Sequence, residues 1–228
     1  AVPVVQCMNS YKSVHSVKPE DAKATVGSLW ESSFDDPYQH QYDCWNTLLN
    51  ESIEIDGEKK PMSICVTTGT GSGKTECFMM PLVYDLAKNY QSGQIQAVFL
   101  YPLNALMEDQ KERLEKMLEN IEKSTGVKLT YTVYNGDLPD DVPSAHDHSD
   151  DAERTRRKID MIRGLITDSQ GQPILDADGN KQYKYNRMVY TRKDVRRKDA
   201  APNILLTNPT MLEYILLRKS VEVLFAPA

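Results

Sequence analysis

The run Thr67-Thr68-Gly69-Thr70-Gly71-Ser72-Gly73-Lys74-Thr75 constrains this chain more than any other stretch. The apolar segment Met62-Ser63-Ile64-Cys65-Val66 before it reads as a buried strand, and a helical pattern from Glu76-Cys77-Phe78-Met79-Met80 onward follows it. Strand, loop and helix in that order are the context in which a glycine-rich loop binds phosphate. Glycines let the backbone curl so that successive N–H groups face phosphate oxygens, and the helix N-terminus adds partial positive charge. Lys74 can reach the β- and γ-phosphates, and the Thr75 hydroxyl can sit on Mg²⁺. An α/β nucleoside-triphosphate site is therefore expected.

The rest of the pattern agrees with that class. Residues 38–49 suit a helix with Tyr38, Tyr42, Trp45 and Leu49 along one side, and residues 55–60 form a polar turn. A helix is expected from Thr75 to about Asn89, kinked or offset by Pro81. Residues 96–101 read as a strand closed by Pro102, residues 103–121 keep helical spacing, and residues 128–134 alternate as a strand. Residues 203–207 form another buried strand, and Pro209 opens a helix. Strands alternating with helices predict a mainly parallel sheet of βαβ units flanked by helices. Residues 1–33 are set apart as an N-terminal extension with a short helix near residues 19–29, and residues 34–228 make the α/β lobe. An insertion at about 138–200 breaks the rhythm. It carries an acidic stretch, a basic helix at 154–163, a β-hairpin around Asp176-Ala177-Asp178-Gly179-Asn180, and a second basic cluster from Arg187 to Lys198.

The net charge of −6 gives no global electrostatic footprint for nucleic acid, which leaves local basic patches open. The four cysteines (Cys7, Cys44, Cys65, Cys77) have no C-x-x-C spacing, and Cys65 falls in the expected core strand. Reduced thiols in a cytoplasmic protein fit this usage. No run has the length of a membrane span, and no signal peptide is visible. The sequence starts without Met and stops abruptly, so a fragment is expected.

The general phosphate-loop pattern has a glycine where Thr68 stands; the helicase form A-x-x-G-x-G-K-T fits better. Further matches come in order: Tyr38-x-His40-Gln41, Tyr101-Pro102-Leu103-Asn104-Ala105-Leu106 with Asp109-Gln110, Asn135-Gly136-Asp137, and Ile204-Leu205-Leu206-Thr207-Asn208-Pro209-Thr210-Met211-Leu212-Glu213-Tyr214. With these residues, positions 34–218 resemble the N-terminal RecA-like lobe of superfamily 2 DEAD/DEAH-box helicases. The likeness is strongest to the bacterial helicases with a DUF1998-type region, the YprA/MrfA-like and DISARM/Druantia-type groups.

That resemblance implies ATP and Mg²⁺ as cofactors, held by Tyr38, Gln41, Thr68, Gly69, Thr70, Gly71, Ser72, Gly73, Lys74, Thr75 and Glu76. Lys74 and Thr75 would act in catalysis, with Thr75 on the nucleotide-bound Mg²⁺, and Gln41 would read adenine through its side-chain amide. Pro102, Asn104, Gln110, Gly136, Thr207, Asn208 and Thr210 would contact a nucleic-acid strand from one sheet edge, chiefly at its phosphates. The implied partners are single-stranded or partly duplex DNA, with RNA as the alternative, a second RecA-like lobe, and subunits of a defence complex. No membrane partner is implied.

The family's D-E-x-H motif does not occur in the sequence. Without its acidic groups and the arginine fingers of a second lobe, this chain alone is expected to hydrolyse ATP negligibly. The full protein would be an ATP-driven DNA helicase or translocase in phage defence or DNA repair. A kinase or transporter ATPase is a second reading, opposed by Thr68 and by Thr207-Asn208-Pro209-Thr210. A nucleotide-binding scaffold in a multi-subunit complex is a third. His146-Asp147-His148 with Asp150 and Asp151 reads as a solvated acidic loop rather than a metal site, and Asp176-x-Asp178-Gly179-Asn180 as a turn, because Arg187 stands where a calcium loop needs Glu. The basic clusters could line a nucleic-acid path or pair with the acidic stretch beside them.

Overall fold

The computed structural model describes residues 17–27, 37–197 and 199–217; Cys7, Lys198 and residues 28–29 and 223–228 lie outside them. The chain divides into two compact units, residues 1–85 and 86–228.

In the first unit, α1 (Pro19–Val26) starts on proline with Glu20 and Asp21 in its first turn, both favourable at a helix N-terminus. Its buried Ala22 and Val26 lie on a helix that packs against α2 (Gln39–Asn50). Strands β1 (Ser52–Ile55) and β2 (Glu58–Pro61) pair antiparallel across Asp56-Gly57, whose φ values of 55° and 79° are those of a tight primed turn. The expected polar turn is thus the tip of an exposed hairpin. Helix α3 (Lys74–Lys88) continues across the buried Pro81 rather than stopping there.

One expectation fails here. Residues 62–66 form no strand; Met62, Ile64 and Val66 are half-buried and Ser63 and Cys65 exposed. A strand is completed by a neighbour's N–H and C=O groups. No strand among the described residues pairs with this segment. Cys65 is consequently a surface residue and not a core one.

The second unit holds β3 (Ala97–Leu100), α4 (Asn104–Thr125), β4 (Tyr131–Tyr134), α5 (Asp150–Ile162), α6 (Arg192–Val195), β5 (Ile204–Thr207) and α7 (Pro209–Leu217). The three strands form a parallel sheet in the order β3-β5-β4, as expected of βαβ units. The central strand is buried at every residue, as parallel sheets require. Leu205 joins Ile95, Tyr134, Leu138, Val195 and Ile215 in the core beside it. Helix α4 stops at Gly126, where φ of 75° suits glycine. Leu100, Thr207 and Tyr134 are aligned across the sheet, so the loops after all three strands leave from one edge.

The insertion is bonded onto this sheet. Tyr131 donates to the Arg187 carbonyl, Val189 donates to the Tyr131 carbonyl, and Met188 bridges Tyr131 in parallel, covering the free side of β4. The expected hairpin is a three-segment device. The octad Ile166-Thr167-Asp168-Ser169-Gln170-Gly171-Gln172-Pro173 repeats as Ile174-Leu175-Asp176-Ala177-Asp178-Gly179-Asn180-Lys181. Ile174 donates to Ile166, Gln182 to Ile174, and Ile166 to Gln182, closing a ring of backbone bonds. Asp168 Oδ1 accepts the N–H groups of Gln170 and Gln172, and Asp176 Oδ1 those of Asp178 and Asn180. These bonds, led by that of Asn180, hold the Asp176 carboxyl below its usual range.

Asn203, 2% exposed, ties the start of β5 to two other loops. Its Oδ1 accepts the Thr130 N–H at 3.1 Å, and its Nδ2 donates to the Gln91 carbonyl at 2.8 Å and to Gln96 Oε1 at 3.2 Å. Asn203→Ala leaves buried groups unpaired and should lower unfolding free energy by roughly 2–3 kcal/mol. A urea midpoint indistinguishable from wild type would contradict this.

Candidate functional site

Helix α2 grips the glycine-rich loop from one side. His40 Nε2 lies 2.9 Å from the Ser72 carbonyl, Gln41 Nε2 donates to the Gly73 carbonyl at 3.0 Å, and Trp45 Nε1 donates to the Glu76 carbonyl at 2.9 Å. The peptides here are trans, so each C=O and the N–H of the next residue point to opposite sides. With the Ser72 and Gly73 carbonyls turned to α2, the N–H groups of Gly73 and Lys74 face away from it, at the start of α3. That is the arrangement an anion needs at a helix N-terminus. Gln41 is fully buried, and its Oε1 also accepts the Tyr38 N–H at 2.9 Å. Tyr38 stacks on His40 with ring centroids 5.5 Å apart.

Glycine is required at Gly73 for two reasons. Its φ of 73° lies in the left-handed region, and a Cβ there would come 2.3 Å from Gln41 Nε2. Gly71, with φ of 79°, meets nothing within 4 Å, so only its backbone angle demands glycine. Thr68 fits its unusual place by bonding within the loop: its Oγ1 is 2.6 Å from Ser72 Oγ, which donates to the Gly69 carbonyl at 2.9 Å. Lys74 Nζ donates to the Thr68 carbonyl at 2.9 Å and to the Gly69 carbonyl, holding its ammonium within the loop. Thr70 is exposed, and Gly69 and Thr75 are half-buried. This cradle, with its backbone donors, its ammonium and its hydroxyl, fits a nucleoside triphosphate with Mg²⁺.

Trp45 and His40 hold the loop although neither stands among the expected site residues. The expected face of α2 also differs: it joins Trp45 to Tyr38, Tyr42 and Leu49, but the residues α2 buries are Gln41 and Trp45, four apart. Beneath them, burial pushes the Cys77 thiol up to about 12 and also raises that of Cys44. Both thiols therefore stay protonated at neutral pH.

In the second unit, the aligned strand ends gather the predicted strand-contact loops. Pro102, Asn104, Gly136 and Thr210 are exposed on that edge. Asn208 Oδ1 accepts the Met211 N–H and caps α7, while its Nδ2 donates to Asn104 Oδ1 at 3.0 Å, linking two of the loops. Gln110 is half-buried with its carbonyl oxygen enclosed and unpaired. Thr207 departs from expectation: it is fully buried and its hydroxyl donates to the Tyr134 carbonyl at 2.8 Å. That hydroxyl ties β5 to β4 and cannot meet a phosphate.

The basic clusters of the insertion are largely paired internally. Lys193 meets Asp141 at 2.6 Å, Lys158 meets Asp137 at 3.2 Å, and Arg187 meets Glu115 at 3.4 Å and Glu122 at 2.6 Å. Arg192 donates to the Leu138 and Asn135 carbonyls, and Arg163 lies over the Tyr183 ring. Asp150 and Asp151 stand in the first turn of α5 behind the Ser149 cap, where negative charge is favoured. Among the described residues no group of His, Cys, Asp and Glu could hold a metal ion. No described helix is long and apolar enough to cross a membrane.

Gly73→Ala should weaken ATP binding at least about tenfold through backbone strain and the Gln41 clash. Adding Gln41→Ala removes the clash but not the strain and should not restore wild-type affinity; unchanged binding by Gly73→Ala in an equilibrium titration would overturn this geometry. Thiol mapping by mass spectrometry at pH 8 should find Cys65 alkylated well before Cys44 and Cys77. Equal labelling of the three would contradict the burial described.

The family model for DEAD/DEAH box helicases matches residues 38–163. Among curated proteins, the chain is 24% identical over 254 residues to the Druantia protein DruE of Escherichia coli (strain UMEA 4076-1), covering 88% of this chain and 13% of that protein. It is 26% identical over 133 residues to the uncharacterized ATP-dependent helicase YprA of Bacillus subtilis (strain 168), covering 54% of this chain and 16% of YprA. It is 27% identical over 115 residues to the ATP-dependent helicase hrq1 of Schizosaccharomyces pombe, covering 50% of this chain and 9% of hrq1. No solved structure matches. The chain spans between 9% and 16% of the length of these relatives. With the loop–helix geometry, the parallel sheet and a family match over more than half of its residues, this chain belongs to the DEAD/DEAH box helicase family, as a RecA-like lobe of the YprA and Druantia type.

Proposed function

We propose that this chain is the ATP-binding lobe of an ATP-dependent helicase or translocase that works on DNA, in phage defence or DNA repair. The observation that carries the reading is the loop held by α2 with its N–H groups free at the start of α3. The helicase family supports ATP use, and the name of the Druantia relative favours the defence role. Residues 34–228 serve as the lobe, residues 1–33 as an extension, and about 138–200 as an insertion.

In this reading Thr68 to Glu76 hold the triphosphate. The backbone N–H groups of Gly73 and Lys74 bind phosphate oxygens, and Lys74 Nζ exchanges its loop carbonyls for the β- and γ-phosphates. Thr75 would place its hydroxyl on Mg²⁺, Tyr38 would flank adenine, and Gln41 would select it by releasing its bonds to the Gly73 carbonyl and the Tyr38 N–H. When bound, ATP and Mg²⁺ supply the phosphoanhydride and the charge that offsets it in the transition state. Pro102, Asn104, Gln110, Gly136, Asn208 and Thr210 contact the strand, with backbone and side-chain donors directed at phosphates. In the intact protein a D-E-x-H motif on a strand after α7 supplies the acidic groups, a second RecA-like lobe supplies the arginine groups, and cycles of closure step the pair along the strand.

In the intact protein, single-stranded DNA should stimulate ATP turnover, and Lys74→Ala should reduce turnover at least about a hundredfold. DNA affinity should fall steeply with salt, as phosphate contacts require. Stimulation by RNA alone would move the substrate to RNA; ATP binding with no stimulation by either polymer would favour a nucleotide-binding scaffold. The isolated 228-residue chain should bind ATP without measurable hydrolysis.

A further inference from the structure

A cavity of about 550 Å³ lies in the second unit where the start of α4, the turn after β4 and the end of α5 meet. Its volume is within the roughly 300–1,000 Å³ usual for small-ligand sites. Val133 and Met188 are its buried apolar lining, and Met161, at its rim, leaves 77% of its surface exposed. So large an exposure is unusual for an apolar side chain, and a methionine adapts readily to a flat ring.

Asn135 also lines the cavity and is only 8% exposed. Its Oδ1 accepts the Asp137 N–H at 3.0 Å, while its side-chain amide donates to no protein atom among the described residues. That amide meets the open space of the cavity and is available to an acceptor supplied from outside. At the rim, Lys158 and Asp137 form an ion pair at 3.2 Å, with 41% and 70% of their side chains exposed. The lining also holds the apolar Ala105 and Ile162 and the polar Asn104 and Glu108. Apolar side chains, amide donors and a displaceable cation suit a nucleobase with its flanking phosphate: the ring faces are apolar, the ring edge offers acceptors, and the phosphate is anionic.

We propose that this cavity takes one unstacked nucleobase from the strand along the sheet edge. Asn135 donates to an acceptor on the base edge, Met161 packs on the ring face, and Lys158 leaves Asp137 for an adjacent phosphate. The proposal rests on the reading of that edge as the strand-contact surface. It gives the insertion a direct part in holding the strand through α5, although most of its cations are paired internally.

The test uses the intact protein with single-stranded DNA and RNA oligonucleotides of one sequence, each carrying a single 2-aminopurine at successive positions. Unstacking on binding should raise the fluorescence at one or a few positions, and the polymer that shows the rise identifies the strand. Met161→Ala, at an exposed position that the fold does not need, should lose most of that rise. Asn135→Asp keeps the Oδ1 acceptor for Asp137 and should lose it as well. Lys158→Ala should lower the slope of log affinity against log salt by about one. Oligonucleotide binding with no rise, or a rise unchanged in both cavity variants, overturns the cavity while leaving the edge as a strand surface. An unchanged salt slope in Lys158→Ala overturns the exchange at Lys158. Absence of binding to either oligonucleotide overturns both the cavity and the reading it rests on.

Discussion

The hydrogen bonds from His40, Gln41 and Trp45 to the carbonyls of Ser72, Gly73 and Glu76 are the constraint on which the glycine-rich loop depends. Each is worth about 1 kcal/mol net, which is modest. Their effect is directional. Turning the Ser72 and Gly73 carbonyls toward α2 leaves the next N–H groups on the opposite side, so donors are oriented before any anion arrives. The fit is close enough that Gly73 cannot gain a single methyl group. The buried Cys77 and Trp45 lie under the same contact, so the loop rests on a packed base.

The second unit solves a different problem by register. Three parallel strands end level with one another, and the segments that follow are tied by short polar contacts: Thr207 to Tyr134, Asn208 to Asn104, and Arg192 to the Asn135 and Leu138 carbonyls. The insertion supplies Arg192 and also covers the outer side of β4. Its charges hold it in place on that sheet, with Arg187 bridging Glu115 and Glu122 on α4.

Elements with a strong local signal were legible in the sequence. The helix that became α4, the proline-led α7 and the apolar β5 follow from periodicity, caps and continuous burial. The glycine-rich loop was legible because Gly71 and Gly73 answer a backbone need. What escaped depends on partners distant in sequence. Residues 62–66 have the apolar content of a strand, but a strand is a pairing, and composition does not contain the partner. Thr207 reads as a loop-edge hydroxyl until the register places Tyr134 beside it. Trp45 reads as core, and its N–H bond to the Glu76 carbonyl lies 31 residues away in sequence. The hairpin around Asp176 was legible from its turn residues, but the ring it belongs to closes only through Ile166 and Gln182 on either side of it.

Gln41 braces the loop through its bonds to the Gly73 carbonyl and the Tyr38 N–H. The measurement is the affinity of the intact protein and its Gln41→Ala variant for inorganic tripolyphosphate, which carries no base. The brace predicts that the variant binds tripolyphosphate about two- to tenfold more weakly, the range for one lost hydrogen bond. Equal tripolyphosphate affinity in the two proteins, with ATP binding weakened in the variant alone, would contradict it.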